Sequence, residues 1–284
     1  MDWLRAAGPL ALALVSAVAI DQLTEARQLQ PPGFRSPWRR VGGLMVVALV
    51  LYPGVFLSLA QIGAPLQIDF DAVATHELFL LHGMLLAALA AWLVLGFAGE
   101  VAMTSFPGVV LRQLGLRLRG VLRELVIGLG TGLLIWPVLL LAVLLVVGLL
   151  FLLGGETLLP AEPPAMIVWI AAMPIGVRLL IALSAGVVEE VFFRGFLQPR
   201  VGVALSTLLF VLAHLAYDQP FMLVGITLLS LYFATLTLWR QSVWAAIAAH
   251  FLFDAVQLLL VIPWALEQWH SGGSRELAPL VGMG

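Results

Sequence analysis

Apolar residues gather into eight long blocks along this chain, at about 4–22, 41–62, 78–98, 125–153, 166–190, 203–217, 221–239 and 242–263. A helix needs about 20 predominantly apolar residues to cross a bilayer, so the pattern predicts an all-α, polytopic membrane bundle of about eight transmembrane helices. The fourth block is long enough to cross at a tilt. The fifth is expected to run on as helix past Glu190 to about Leu197 and to stop before Pro199, because the residue ahead of a proline disfavours helix.

The polar positions sharpen this picture. Arg27, Arg35, Arg39 and Arg40 fall in the first connection, and Arg112, Arg117, Arg119 and Arg123 in the third; Arg200 follows the fifth block and Arg240 the seventh. The intervening connections carry Asp69, Asp71 and Glu77, then Glu156 and Glu162, then Asp218. Arginine-rich connections stay on the cytoplasmic side, which puts both termini outside. Arg5 and Arg275 are minor exceptions to the alternation. Pro31-Pro32-Gly33 and Ser36-Pro37 make the first connection non-helical. Val109 to Leu118 can form an amphipathic surface helix or remain an arginine-rich loop. The expected localisation is therefore integral and multi-pass, in a bacterial inner membrane.

Composition agrees with the pattern. Of 284 residues, 62% are hydrophobic and 11% charged, where a soluble domain carries about 25% charged residues. Mean hydropathy is +1.08. The net charge of −2 gives no electrostatic case for nucleic acid as a partner; the bilayer is the partner that composition demands. With no cysteine, disulfides, thiolate metal sites and a Cys nucleophile are excluded. All 14 basic residues are arginine, which we read as compositional bias. Leu4 to Ile20 is read as a retained first span, since Asp2 and a single Arg5 precede it and Ile20-Asp21-Gln22 is a poor cleavage site.

Ionisable groups inside apolar blocks are expensive to place there and point to function. They concentrate in the second half of the chain. We therefore divide it into 1–165, four accessory helices, 166–265, a catalytic helical core, and 266–284, a short tail. Glu190 and Arg194, four apart, share a helix face and are assigned to structure as an ion pair. Glu189 lies about 100° around the helix and is assigned to chemistry. The alternative makes both glutamates interface residues at a helix end. His214 follows Phe210 by one turn, so the two rings share a face. His250 and Asp254 share another, where the Asp can orient the His or both can ligate a metal. At about 1.5 Å per residue, Glu189 and His250 lie about 12 and 13 Å inside the cytoplasmic helix ends and His214 about 21 Å from Arg200, so one cytoplasm-facing cavity requires the residues after Pro199 to lie outside the bilayer.

Glu-Glu-x-x-x-Arg at 189–194, Phe-x-x-x-His at 210–214 and His-x-x-x-Asp at 250–254, in that order, resemble the CPBP intramembrane proteases. That family includes type II CaaX prenyl endopeptidases and bacterial Abi proteins. The resemblance runs from about Pro174 to Ile262 and implies peptide-bond hydrolysis in an intramembrane cavity. It further implies that Glu189 and His214 activate a water while His250 and residue 254 stabilise the oxyanion, with no cofactor. Many members carry Asn at the last position; an ionised Asp254 cannot donate to an oxyanion, so it must be protonated or orient His250. The metalloprotease variant uses Glu189, His214, His250 and Asp254 as ligands to a divalent cation such as zinc. The expected substrate is a membrane-associated protein or peptide. An idle binding or immunity protein and a proton-coupled transporter are the competing classes; the intact Glu/His set opposes the first, and the lack of an internal repeat opposes the second.

Three further features receive plainer readings. His76, Glu77 and His82 are read as unrelated polar residues rather than a metal site. Arg178 is expected to snorkel or pair locally. Gly128, Gly130 and Gly132 are read as a close-packing helix face.

Overall fold

A computed structural model describes residues 2–61, 70–154, 163–215, 220–269 and 271. Asp69, Glu156, Glu162, Asp218, Arg275 and most of the C-terminal tail therefore lie outside the described residues. Those residues form helices and no strand, in the order α1 (Asp2–Ala26), α2 (Pro37–Leu51), α3 (Leu80–Phe97), α4 (Phe106–Gln113), α5 (Val121–Gly154), α6 (Ala165–Ala172), α7 (Ile175–Glu190), α8 (Gln198–Val201), α9 (Val203–Ala213), α10 (Pro220–Arg240) and α11 (Trp244–Val256). The all-α, multi-pass membrane reading holds.

The count of eight spans is not confirmed. Among the described residues six helices are long and apolar enough to cross a membrane, and a bent pair makes a seventh. Two physical reasons account for the difference. The fifth block breaks where α6 meets the helix beginning at Ile175, with a bend of 119°. Met173 is extended there, at φ −71° and ψ 154°, as a residue ahead of Pro174 must be. The sixth block yields only α9, whose 11 residues rise about 16 Å, well short of a hydrocarbon core of about 30 Å.

Past Glu190 the chain widens into a π-helical turn, Val191–Leu197, before α8. Pro199 does not stop this helix, which runs on through α8 to Val201. Gly202, with φ at +87°, ends it. The third connection holds a short helix, α4, that covers only the first half of Val109 to Leu118; its residues from Leu114 on are not helical.

Small residues draw three helices together. Ala245, Ala246 and Ala249 of α11 are fully buried. A Cβ on Gly128 of α5 would sit 2.2 Å from the Ala245 carbonyl oxygen, and one on Gly132 would sit 2.9 Å from Ala249 Cα. On Gly186 of α7 it would meet the Phe251 nitrogen at 2.9 Å. Gly130 points away and meets nothing within 4 Å. The packing face read from the sequence therefore comprises Gly128 and Gly132, spaced four apart, without Gly130. Gly128→Ala is expected to lower the melting temperature of the detergent-solubilised protein, at a cost of about 1–3 kcal/mol typical of overpacking. Gly130→Ala should leave it unchanged or raise it, and equal shifts would refute the contact.

The arginine-bearing connections meet at one end of the bundle. Arg27 Nη1 donates to the Pro199 carbonyl at 3.0 Å and Arg200 Nη2 to Gln113 Oε1 at 2.8 Å. Arg240 grips Glu124 with two bonds of 2.7 Å, and Trp244 Nε1 donates to the Arg117 carbonyl at 3.0 Å. The alternating charge pattern thus corresponds to a physical end of the molecule. The largest buried apolar cluster draws residues from both halves of the chain, with Trp92 of α3 packed edge-on to Phe196 at 4.9 Å.

Candidate active site

Two neighbouring carboxylates on α7 separate the site into two groups, as their rotation around the helix requires. Glu190 and Arg194 are sealed, at 0% and 1% exposure of their side chains. Arg194 Nε lies 3.2 Å from Glu190 Oε2, an ion pair without hydrogen-bond geometry. Arg194 Nη2 donates to the Ser230 carbonyl and hydroxyl at 3.3 and 3.2 Å. Its guanidinium also lies 4.3 Å from the Phe210 ring centroid. The other oxygen of Glu190 takes His250, whose Nδ1 stands 2.9 Å from Oε1. His250 stacks on Phe233 at 4.7 Å, and its Nε2 faces Asp254 Oδ2 at 3.4 Å. Glu190 is therefore more than the partner of Arg194: it also fixes the ring of His250, a tertiary contact that helical spacing could not reveal.

The second group is less completely sealed. Glu189 and His214 retain side-chain exposures of 15% and 19%, and His214 Nε2 stands 3.9 Å from Glu189 Oε2. His214 Nδ1 is 2.7 Å from the Phe210 carbonyl oxygen. A carbonyl can only accept, so Nδ1 carries the proton, and in the neutral ring Nε2 holds the lone pair on the side of Glu189. Phe210 ties the groups together, with its ring 4.5 Å from that of His214 and 6.3 Å from that of His250. Its contacts thus reach Arg194 and both histidines.

The structure adds a residue that sequence reading set aside. His82 of α3, 15% exposed, places Nε2 3.4 Å from Glu189 Oε1. Its neighbours His76 and Glu77 are exposed, and among the described residues no three such side chains could hold a metal ion, so the reading of the three as unrelated to one another holds; what it did not give is the contact of Glu189 with His82. A signal existed: it is the sole His, Asp, Glu or Arg of block 78–98, and lone ionisable groups in a membrane span point to function. Arg178, expected to snorkel or pair locally, has a partner distant in sequence: Nη1 donates to the Leu258 carbonyl, 80 positions away, at 2.9 Å.

A divalent cation would need three or four of Glu189, His214, His250 and Asp254 to converge. Among the described residues no three His, Asp or Glu side chains are placed to hold a metal ion. The ring nitrogens of His250 are turned to Glu190 and Asp254. As arranged, these residues do not fit a metal.

Comparison with known proteins bears out the resemblance over the part of the chain that carries these residues. Residues 171–256 match the model of a family described as type II CAAX prenyl endopeptidase, Rce1-like. The chain is similar to the uncharacterized protein YpbD of Bacillus subtilis (strain 168), at 33% identity over 79 residues. That match covers 28% of this chain and 40% of the relative, so the likeness spans well under half of that protein. No solved structure matches the chain at a significant level. Glu189, Glu190, Arg194, Phe210, His214, His250 and Asp254 all fall inside the family match, and His82 falls outside it.

Proposed function

We propose that this chain, an Rce1-like endopeptidase segment set in a larger membrane bundle, hydrolyses a peptide bond of a membrane-associated protein or peptide. The observation that carries the reading is the pairing of Glu189 Oε2 with the lone-pair side of His214 at 3.9 Å. A water lying to one side of that pair would be within hydrogen-bond reach of both, at about 2.8 Å. Each acceptor takes one of its protons, which turns an oxygen lone pair outward toward a substrate carbonyl. As the C–O bond forms, a proton passes to Glu189 and later returns to the leaving amine. His250, protonated on both nitrogens with Nδ1–H held by Glu190, meets the negative charge that develops on the carbonyl oxygen by turning its Nε2–H to it from Asp254, which it faces at 3.4 Å beforehand. Asp254 orients His250, the role left to an ionised carboxylate that cannot donate.

The arginine-bearing end of the bundle is assigned to the cytoplasmic face. His250 lies six residues, about 9 Å of helix, from Trp244 at that end, so the site opens toward the cytoplasm. A C-terminal tail carrying a lipid is one substrate that suits such a site. A direct test compares peptide termini in membranes of a host expressing the wild type, expressing His214→Gln at a matched level, or lacking the protein. Termini seen only with the wild type are expected. Identical termini in all three would favour an idle membrane binder.

A further inference from the structure

His82 is delivered by α3, from the half of the chain that the family match does not cover. It is held at both ring nitrogens, with Nδ1 3.0 Å from Ser184 Oγ and Nε2 3.4 Å from Glu189 Oε1. Ser184 stands five residues before Glu189 on α7, so both contacts of the ring fall on one helix, little more than a turn apart. The imidazole thus lies along α7 as a brace, and α3 cannot shift along α7 without moving it.

The hydrogens are constrained as well. Ser184 Oγ also lies 3.0 Å from the Ile181 carbonyl oxygen, to which only a hydroxyl proton can be given. When Ser184 donates to that carbonyl, it accepts from Nδ1–H of His82. When it turns its proton to Nδ1 instead, the proton of the neutral ring is on Nε2 and points at Glu189. In the first case two lone pairs would face each other across 3.4 Å unless a proton sits between Nε2 and Oε1. When the ring carries its proton on Nε2, or on both nitrogens, a hydrogen lies on that line and Oε1 is occupied. Glu189 Oε2, by contrast, is buried and makes no hydrogen bond among the described residues. It is the oxygen turned toward His214.

We infer that His82 is a positioning residue of the hydrolytic centre: it engages one oxygen of Glu189 and leaves the other presented to His214 and to the water between them. What Glu189 then does rests on the endopeptidase reading; the brace itself does not. The arrangement also assigns a task to α3, which supplies a group that the matched segment lacks.

Two measurements test this independently. The first is a melting cycle on purified protein in detergent with His82→Ala, Glu189→Ala and the double variant. The losses should fail to add by about 2 °C or more, the behaviour of side chains in contact. Additive losses would overturn the brace whatever the protein's activity. The second measures the rate at which wild-type-dependent termini appear in host membranes, using wild type, His82→Ala, His82→Gln and Glu189→Gln at matched levels. His82→Ala should slow cleavage by about 10–100-fold, as loss of an orienting partner does. His82→Gln, whose amide can donate from the place of Nε2, should recover most of the rate. A merely structural histidine would not be rescued by a residue that matches only its donor.

Cleavage at the wild-type rate in His82→Ala would overturn the inference while leaving the protease reading intact. Cleavage retained in Glu189→Gln would remove Glu189 from the reaction and with it the positioning role. Should no terminus depend on the wild type, the protease reading fails, and the melting cycle alone decides whether His82 braces Glu189.

Discussion

Glu189→Gln is expected to abolish turnover without weakening the protein. The amide keeps the size and shape of the side chain but removes the group that takes a proton from water. A general base contributes about 10²–10⁴-fold on its own. Groups that act as a unit lose more than their separate shares when one is removed, so the rate should fall by at least about 10³-fold. Stability should move the other way. The buried Oε2 of Glu189 makes no hydrogen bond among the described residues, and a carboxylate oxygen so placed carries a desolvation penalty that an amide relieves. The melting temperature should hold or rise. Quantitative terminal-peptide mass spectrometry on host membranes reads the first effect, and a thermal melt of purified protein reads the second. Retained turnover would remove Glu189 from the role of base; a large fall in melting temperature would show that the carboxylate is structural after all.

One residue along, the same substitution should do the opposite to stability. Glu190→Gln leaves Arg194 and His250 buried with a neutral partner. Arg194 is already short of contacts, since its Nη1 makes no hydrogen bond among the described residues. Breaking a buried pair by neutralising one partner costs about 3–5 kcal/mol, which corresponds to a fall in melting temperature on the order of 10 °C. Replacing Glu190 and Arg194 together by methionine should recover part of that loss, because the uncompensated charge goes with its partner. Activity should remain low in the double variant, since His250 would still lack the carboxylate that fixes its ring. A melt showing Glu190→Gln as stable as Glu189→Gln would contradict the division of labour between these two adjacent side chains.

That division was legible before any coordinates. Residues four apart on a helix face each other, which gave Glu190–Arg194 and His250–Asp254; a one-residue offset turned Glu189 elsewhere. The contacts joining different helices were not legible, because nothing in local spacing says that Glu190 will meet His250 or that α3 will lie against α7. His82 was set aside for that reason: considered within its own segment it has no partner, and its partner is 107 positions away. The span count went unconfirmed for a related reason. Hydropathy records how apolar a stretch is, not whether a proline bends it, as Pro174 does, or whether it rises far enough to cross, as α9 does not. Glycine spacing came closer, since the positions four apart pack against α11 and the one between them does not.

The widened turn at Val191–Leu197 has a consequence for how this sequence can change over time. A π-helical turn holds one more residue than an α-helical turn would. A single-residue deletion there can be absorbed by closing the turn to α-helix, which leaves the segments on either side in phase, whereas the same deletion within the α-helical stretch Ile175–Glu190 would rotate everything beyond it by about 100°. In the first case Arg200 keeps its cover of Trp92 and Phe196, and in the second it loses it. Single-residue deletions in descendants of this sequence should therefore be tolerated at Val191–Leu197 sooner than in the helix before it.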